Sequence, residues 1–303
     1  MRAPIEASVA VNGVSLTYFE WGRGAAGDPL LLVHATGFHA RCWDQVVRQL
    51  GRRLGRRRVI AIDQRGHGRS DKVDAIRWRE FGRDVAEIAR RLDLRGVVGV
   101  GHSAGGHAMV EAAAIAPTRF RRLVLVDPTI MAPEHYAARG AAEDGAWIRV
   151  AGATHPAAKR RRHFTSIDEM IERLHGRPSF ASFTAAALRD YCTWGLVPSV
   201  DPPGFELACT PEMESAVYGG AFGNPGIHEH VRALDLPVTL LRAIEPRTPA
   251  DLADFRYSPT WPALASQLRR SRDVHRPDRT HFMPMEDPAL VASVIAEAEA
   301  QGG

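Results

Sequence analysis

The sequence predicts an α/β fold with a largely parallel, doubly wound sheet. Continuous apolar runs rich in valine, leucine and isoleucine alternate with amphipathic stretches at both ends of the chain. Strands buried on both faces of a parallel sheet have this character, and crossover helices connect them. Residues 129–236 interrupt the alternation with helical stretches, prolines and aromatics. We therefore expect a core formed by residues 1–128 and 237–303, and a helical cap formed by residues 129–236 over the strand ends.

Individual elements follow from the same patterns. Asn12-Gly13 lies between two alternating runs and predicts an antiparallel hairpin at one edge of the sheet. A last short strand is expected near Val274, and a C-terminal helix over Pro288–Ala300. The buried strands are expected at Pro29–Val33, Val59–Ile62, Val97–Gly101, Leu123–Val126 and Pro237–Leu241.

The most informative stretch is Gly101-His102-Ser103-Ala104-Gly105, which follows a valine-rich run and precedes an alanine-rich one. This order predicts a strand, a sharp turn and a helix. A serine on such a turn stands clear of the sheet edge, the glycines leave room for a close approach, and the helix N-terminus brings N–H groups beside the hydroxyl. Ser103 is therefore the predicted nucleophile.

Composition narrows the class of protein. The chain has 303 residues, of which 45% are hydrophobic, and a formal net charge of +4. This charge is too small to indicate nucleic-acid binding, and the basic run Lys159–Arg162 is expected to be a solvated face. We expect no signal peptide and no membrane span. Three scattered cysteines favour the reducing cytoplasm.

No cofactor and no metal are expected. The run His228-Glu229-His230 carries two histidines at a spacing that does not suit one helical face, and no third ligand accompanies them. The sequence leaves open whether the chain is a monomer or a homodimer.

Four motifs together resemble the α/β-hydrolase fold superfamily. They are the serine turn, the loop His34-Ala35-Thr36-Gly37-Phe38, the turn Asp63–Ser70, and the tail Thr280–Pro288. The resemblance covers about residues 5–128 and 237–300 and is to the esterase, lactonase and carbon–carbon hydrolase branch. It implies a mostly parallel eight-stranded sheet with the helical cap inserted after the sixth strand. The sequence departs from the family at position 35, where Ala replaces the usual glycine.

The resemblance also implies roles for individual residues. His281 lies between the last predicted strand and the last helix, where the family places its catalytic base. The oxyanion hole is expected to use the backbone N–H groups of Thr36 and Ala104. Cap aromatics, including Tyr218 and Phe222, either form a small core of their own or line an apolar pocket.

The acid that orients His281 has two candidates. Family members usually carry it just after the seventh strand, where this sequence has Glu245-Pro246, with Asp251 and Asp254 further along. Others, such as haloalkane dehalogenases and zearalenone lactonases, place it after the sixth strand, where this sequence has Asp127. We favour Asp127 and keep Glu245 as the alternative.

The sequence thus predicts a metal-free serine hydrolase that cleaves a bulky, apolar carboxylic ester or lactone through an acyl-enzyme. Carbon–carbon hydrolysis of a diketone-like substrate is an alternative with the same three residues, and a perhydrolase or cofactor-free oxygenase is a further one. A ligand receptor without turnover would also fit. Epoxide hydrolase and haloalkane dehalogenase activity are disfavoured because position 103 is not a carboxylate.

Overall fold

The computed structural model describes residues 3–53, 57–137, 147–248, 251 and 254–300. Its main element is an eight-stranded sheet with the strand order β1-β2-β4-β3-β5-β6-β7-β8. β2 pairs antiparallel with β1 and β4, and the other neighbours are parallel. The strands are β1 (Ile5–Val11), β2 (Val14–Trp21), β3 (Leu30–Val33), β4 (Val59–Ile62), β5 (Val97–His102), β6 (Phe120–Val126), β7 (Val238–Arg242) and β8 (Ser271–His275).

Ten helices are described along the chain. They are α1 (Asp44–Arg53), α2 (Trp78–Arg91), α3 (Ala104–Ile115), α4 (Pro133–Ala137), α5 (Ile167–Leu174), α6 (Ala185–Trp194), α7 (Pro211–Gly219), α8 (Ile227–Ala233), α9 (Met283–Glu286) and α10 (Pro288–Ala300). Short 3₁₀ turns cover Ala40–Trp43, Pro117–Arg119, Pro156–Lys159 and Leu264–Gln267. None of the described helices is long and apolar enough to cross a lipid bilayer.

The core lies on both faces of the sheet, which explains the uninterrupted apolar strands. All four residues of β3 are buried. Leu31 and Val33 belong to the cluster that packs against α2 and α3, whereas Leu30 and Leu32 belong to the cluster against α1 and α10. Successive side chains of a strand point to opposite faces, so a strand between two helical layers must be apolar at every position. The predicted mostly parallel, eight-stranded α/β sheet is confirmed.

Residues 129–236 contain α4–α8 and, in addition, a small antiparallel sheet that the sequence did not predict. Its strands are ordered Leu196–Ser199, Gly204–Leu207 and His163–Phe164. These strands have two to four residues and are only partly buried, so they lack the apolar runs by which the core strands were recognised. The segment is thus mixed rather than purely helical, and its division from the core at residues 128 and 237 stays a prediction.

The three cysteines, Cys42, Cys192 and Cys209, are buried and unpaired. Burial raises the pKa of each thiol, so all three are poor nucleophiles. They therefore act as small apolar residues in the interior.

Candidate active site

Ser103 lies on a strained turn between β5 and α3. Its backbone has φ 55° and ψ −120°, a region that a residue with a side chain rarely adopts, at a typical cost of about 1–3 kcal/mol. A Cβ on Gly105 would lie 2.6 Å from the carbonyl oxygen of His34, so only glycine allows α3 to begin this close to β3. The turn places the serine at the carboxyl edge of the sheet, where sites form in open α/β folds.

His281 connects Ser103 to Asp127 by two hydrogen bonds. Nδ1 of His281 lies 2.6 Å from Oδ2 of Asp127, and Nε2 lies 3.0 Å from Oγ of Ser103. Because an ionised carboxylate can only accept, Nδ1 carries the proton and donates it to Asp127. Nε2 is then an acceptor for the Ser103 hydroxyl proton. The imidazole is in the tautomer that a general base for this hydroxyl requires.

Asp127 is fully buried and held in place by its other oxygen. Its backbone φ of 46° turns the chain at the end of β6. Oδ1 accepts hydrogen bonds from the backbone N–H of Ala243 at 3.0 Å and from the hydroxyl of Ser258 at 2.6 Å. Ser258 lies in an irregular segment after β7 and belongs to no recognisable sequence motif, so its role was not predictable from the sequence. These donors fix the carboxylate so that Oδ2 faces the imidazole.

Glu245, the alternative acid, lines the same cavity as Ser103 but is not bonded to His281. It is 37% exposed and accepts a hydrogen bond from Arg242 at 2.5 Å. Asp254 accepts from Arg256, and Asp251 accepts from the backbone N–H groups of residues 247 and 248. The structure therefore brings Asp127, and not Glu245, to His281. The physical reason is that Arg242, at the end of β7, neutralises Glu245 locally, while the buried turn after β6 leaves Asp127 facing inward.

The predicted oxyanion donors lie on two loops beside Ser103. Ala104 opens α3, whose first N–H groups have no partner within the helix. Thr36 lines the same cavity as Ser103. In the part of the chain that the structure describes, neither backbone N–H donates a hydrogen bond. Both N–H groups are thus available to an incoming oxygen, and their role as the oxyanion hole stays a prediction.

Two buried histidines hold the loops of the site. His34 accepts a hydrogen bond at Nε2 from the backbone N–H of Gln64 at 3.0 Å, and its Nδ1 donates to the carbonyl of Ala35 at 2.7 Å. His102 donates from Nε2 to the carbonyl of His281 at 2.9 Å. Burial lowers the pKa of His34 and His102 well below the ordinary value, so both are neutral at pH 7. They position the loops and do not compete as bases.

Thr129 is a further site residue, which the sequence did not predict. Its hydroxyl oxygen lies 3.0 Å from Oγ of Ser103, and its backbone N–H donates to the Ser103 carbonyl at 3.0 Å. Since the proton of Ser103 is directed to His281, the Thr129 hydroxyl is the donor of this pair. The one available signal was its position two residues after Asp127 at a strand end.

A cavity of about 300 Å³ opens at Ser103 and His281. Within residues 129–236, Tyr218 and Phe222 line it, whereas Phe183 and Tyr191 pack in an aromatic cluster with Phe38, which borders both the cavity and the cluster. The aromatic residues of this segment therefore include some that line the cavity and some that form a small core. The aromatic residues that line the cavity are Phe38, Trp78, Tyr218, Phe222, Phe255, Tyr257, Trp261 and Phe282.

Within the described residues, no group of three or more histidine, cysteine or acidic side chains is arranged to hold a metal ion. His230 lies 3.2 Å from Glu111 through Nδ1, while the ring of His228 packs edge-on against Tyr136 and Trp261. His228 and His230 thus contact different residues.

The strand order, the serine turn between β5 and α3, and the histidine loop after β8 define the class: this is the architecture of the α/β-hydrolase fold. A family model described as the alpha/beta hydrolase family matches residues 30–294. Since the match covers most of the chain, the protein belongs to the α/β-hydrolase family.

Curated relatives match part of the chain. It is 38% identical over 125 residues to a non-heme chloroperoxidase of Streptomyces lividans, with 40% of this chain and 44% of the relative aligned. It is 32% identical over 135 residues to an sn-1-specific diacylglycerol lipase of Xenopus tropicalis, with 43% of this chain and 42% of the relative aligned. The chain thus spans less than half the length of these relatives.

Solved structures match nearly the whole chain. An E-2-(acetamidomethylene)succinate hydrolase has a TM-score of 0.73 at 22% identity, covering 98% of this chain and 99% of that one. The enol-lactonase from Burkholderia xenovorans LB400 has a TM-score of 0.66 at 19% identity, covering 97% and 100%. At these identities the similarity shows the fold.

Proposed function

We propose that this α/β-hydrolase cleaves carboxylic esters or lactones through a covalent acyl-enzyme on Ser103. The observation that carries the proposal is the chain of two hydrogen bonds from Ser103 through His281 to Asp127, with heavy-atom distances of 3.0 and 2.6 Å. A serine hydroxyl becomes nucleophilic when a positioned base removes its proton, and a fixed carboxylate stabilises the cation that this base becomes.

Each residue has one role in the proposed reaction. Oγ of Ser103 attacks the carbonyl carbon while its proton moves to Nε2 of His281. The N–H groups of Thr36 and Ala104 bind the oxyanion of the tetrahedral intermediate. His281 then gives the proton to the leaving alcohol, and the acyl group stays on Ser103. Water attacks the acyl-enzyme with the same base, which releases the acid and restores the serine.

The cavity supports a bulky, apolar substrate. It has a volume of about 300 Å³, and most of the side chains that border it are aromatic or aliphatic. A ring or branched chain beside the scissile carbonyl would remove these surfaces from water, which favours binding by about 25 cal/mol per Å² of apolar area. The names of related proteins also favour an ester or a lactone, since an esterase of Mycobacterium tuberculosis, 28% identical over 180 residues, and an enol-lactonase are among them.

The experiment compares wild type and Ser103→Ala on neutral p-nitrophenyl esters and aryl lactones. We expect steady turnover by wild type and a loss of about 10⁴-fold or more in kcat for the variant, on the scale of other triad knockouts. A fluorophosphonate should label wild type at Ser103 and leave the variant unlabelled, as read by mass spectrometry.

The other activities give different results in the same experiment. A burst equal to the enzyme concentration without further turnover would indicate a ligand receptor. Cleavage of a diketone-like substrate without ester turnover would indicate a carbon–carbon hydrolase. Unchanged ester turnover by Ser103→Ala would show that the proposed mechanism is wrong.

A further inference from the structure

A second cavity, of about 430 Å³, adjoins the cavity of Ser103. Four aromatic residues line both spaces: Phe38, Tyr218, Phe255 and Phe282, here called the aromatic wall. The ring centroids of Tyr218 and Phe255 are 5.0 Å apart, and those of Phe38 and Phe282 are 6.1 Å apart. The aromatic wall is therefore a boundary that the two cavities share.

The second cavity is strongly cationic, and we call it the basic cavity. Among the described residues that line it, Glu214 is the single carboxylate. The cationic side chains that line it are Lys159, Arg160, Arg161, Arg173 and Arg177. Positive charges gathered around a concave surface add their fields inside it and attract anions.

Two of these cations are paired with other side chains of the protein. Arg160 forms an ion pair with Glu214 and donates to the hydroxyl of Tyr191 at 2.9 Å. Arg161 lies 2.5 Å from Glu169. These partners fix one side of the basic cavity. The side chain of Arg160 is only 25% exposed, so the expectation that the whole run Lys159–Arg162 is a solvated face is wrong for this residue.

The other three cations have no such partner. In the described parts of the chain, Lys159, Arg173 and Arg177 form no ion pair with a carboxylate. Nε of Arg177 donates to the backbone carbonyl of Arg173 at 3.2 Å, which leaves the terminal nitrogens of both guanidinium groups available. Like charges held around one cavity repel one another, and a bound anion would relieve this repulsion.

We propose that the basic cavity binds a negatively charged group of the substrate, a carboxylate or a phosphate, while the scissile carbonyl lies at Ser103. This inference rests on the proposed ester or lactone hydrolysis and narrows its substrate class. The substrate then has an apolar spacer, which lies on the aromatic wall, and an anionic end, which contacts Lys159, Arg173 and Arg177. A guanidinium fork suits both oxyacids because it donates two parallel hydrogen bonds.

The kinetic experiment uses p-nitrophenyl esters in matched pairs. Each pair has one spacer length and ends in a methyl group or in a carboxylate, and a third series ends in a phosphonate. We expect kcat/KM for an anionic ester of suitable length to exceed that for its neutral partner by about tenfold at low salt, and the ratio to fall toward one in about 0.5 M NaCl. The better of the two anions identifies the group. A neutral ester preferred at every length would overturn the inference while leaving the proposed hydrolysis intact.

The variant Lys159→Gln/Arg173→Gln/Arg177→Gln tests the residues. We expect the ratio of kcat/KM between anionic and neutral ester to fall about tenfold, which corresponds to modest contributions from three exposed cations. The control Arg269→Gln/Arg270→Gln removes two exposed charges just before β8 that line neither cavity, and it should keep the ratio. An unchanged ratio in the triple variant would overturn the assignment.

A binding measurement separates this inference from the proposed function. Isothermal titration calorimetry with the unreactive anions hexanoate and hexylphosphonate needs no turnover. Suppose that no ester is hydrolysed but an anion binds wild type at least about tenfold more tightly than the triple variant. This result would support anion binding in the basic cavity and would contradict the proposed hydrolysis. Equal binding to both proteins would overturn the basic cavity whatever the activity.

Discussion

The hydroxyl of Thr129 lies 3.0 Å from Oγ of Ser103, which is also the distance from Oγ to Nε2 of His281. The candidate nucleophile is therefore held between a base on one side and a hydroxyl donor on the other. Thr129 is in addition bonded through its backbone N–H to the Ser103 carbonyl. This arrangement fixes the rotamer of Ser103 before any substrate binds, which lowers the entropy lost on reaching the reactive geometry.

Removal of this donor should slow the reaction. In Thr129→Val a methyl group replaces the hydroxyl at nearly constant volume, so Ser103 loses one of its two partners. A neutral hydrogen bond contributes about 0.5–1.5 kcal/mol, which predicts a decrease in kcat of roughly 3- to 10-fold on a neutral p-nitrophenyl ester. Thr129→Ser keeps the hydroxyl and should recover most of the rate. Equal rates in the valine variant and wild type would mean that the contact does not assist the reaction.

The acid of the site can be identified by two amide substitutions. Asp127→Asn keeps the shape of the side chain but presents an amide to Nδ1 of His281, which favours the wrong tautomer of the imidazole. We expect a loss of about 10³- to 10⁴-fold in kcat with KM little changed. Glu245→Gln should reduce kcat far less, because Glu245 interacts with Arg242 and not with His281. A larger loss of kcat in Glu245→Gln than in Asp127→Asn would show that Glu245 is the functional acid.

The serine turn should not tolerate a methyl group at Gly105. A Cβ there would contact the backbone carbonyl oxygens of Val33 and His34, the latter at 2.6 Å, and backbone atoms of β3 cannot move aside cheaply. We expect Gly105→Ala to lower the free energy of unfolding by about 3 kcal/mol or more, or to prevent folding. Urea denaturation followed by circular dichroism measures the change.

Gly219 provides the matched control. It is the last residue of α7, is exposed, and has nothing within 4 Å of its ideal Cβ position. Gly219→Ala should therefore be neutral or stabilise the protein by about 0.4–1 kcal/mol, since alanine restricts the unfolded chain. A similar loss of stability in both variants would argue against steric exclusion at Gly105.

Stability should fall as the pH is lowered from neutral toward 4. Burial lowers the pKa of His39, His67 and His107 from 6.5 to about 4. Between these values the folded protein binds fewer protons than the unfolded chain, so unfolding takes up protons and acid favours it. Burial lowers the pKa of His34 and His102 as well, which adds to this effect. Burial raises the pKa of Asp63 to about 6 from 3.8, and it also raises the pKa of Asp84, Asp190 and Glu214, which acts in the opposite direction.

His67→Gln isolates one of these contributions. Removal of a histidine with this lowered pKa should make the loss of unfolding free energy between pH 6.5 and 4 smaller by up to about 3 kcal/mol. Urea midpoints and m-values measured across this pH range give the slope. His175→Gln, at an exposed position just after α5, is the control and should keep the slope of wild type. Parallel pH profiles for His67→Gln and wild type would contradict the prediction.

The sheet could be predicted because its signal is local. Each buried strand is a short continuous apolar run, and the predicted bounds of β4 and the C-terminal helix agree with those observed. The small sheet of residues 163–207 could not be predicted, because its partly buried strands are stabilised by pairing with each other rather than by a continuous apolar sequence. A hydrophobic pattern in the sequence reflects burial, and these strands are too little buried to have such a pattern.

The candidate site also has a part that local sequence predicted and a part that it did not. Ser103 was recognisable because glycines on both sides and a strand and helix around it are adjacent in the chain. The partner of His281 was left open between Asp127 and Glu245, because both lie at ends of neighbouring strands. His281 and Asp127 are 154 positions apart in sequence, and the choice depends on Ser258 and Ala243 holding one carboxylate inward while Arg242 holds the other near the surface.

The sequence by itself thus determined the α/β class, the strand and helix pattern and the serine turn, since each follows from burial and backbone constraints within about twenty residues. The tertiary structure decided which carboxylate meets His281, that Thr129 faces Ser103, and that five cations surround a cavity behind an aromatic wall. These relationships join side chains from distant segments. Packing sets the distances between such side chains, and no local pattern of residues encodes them.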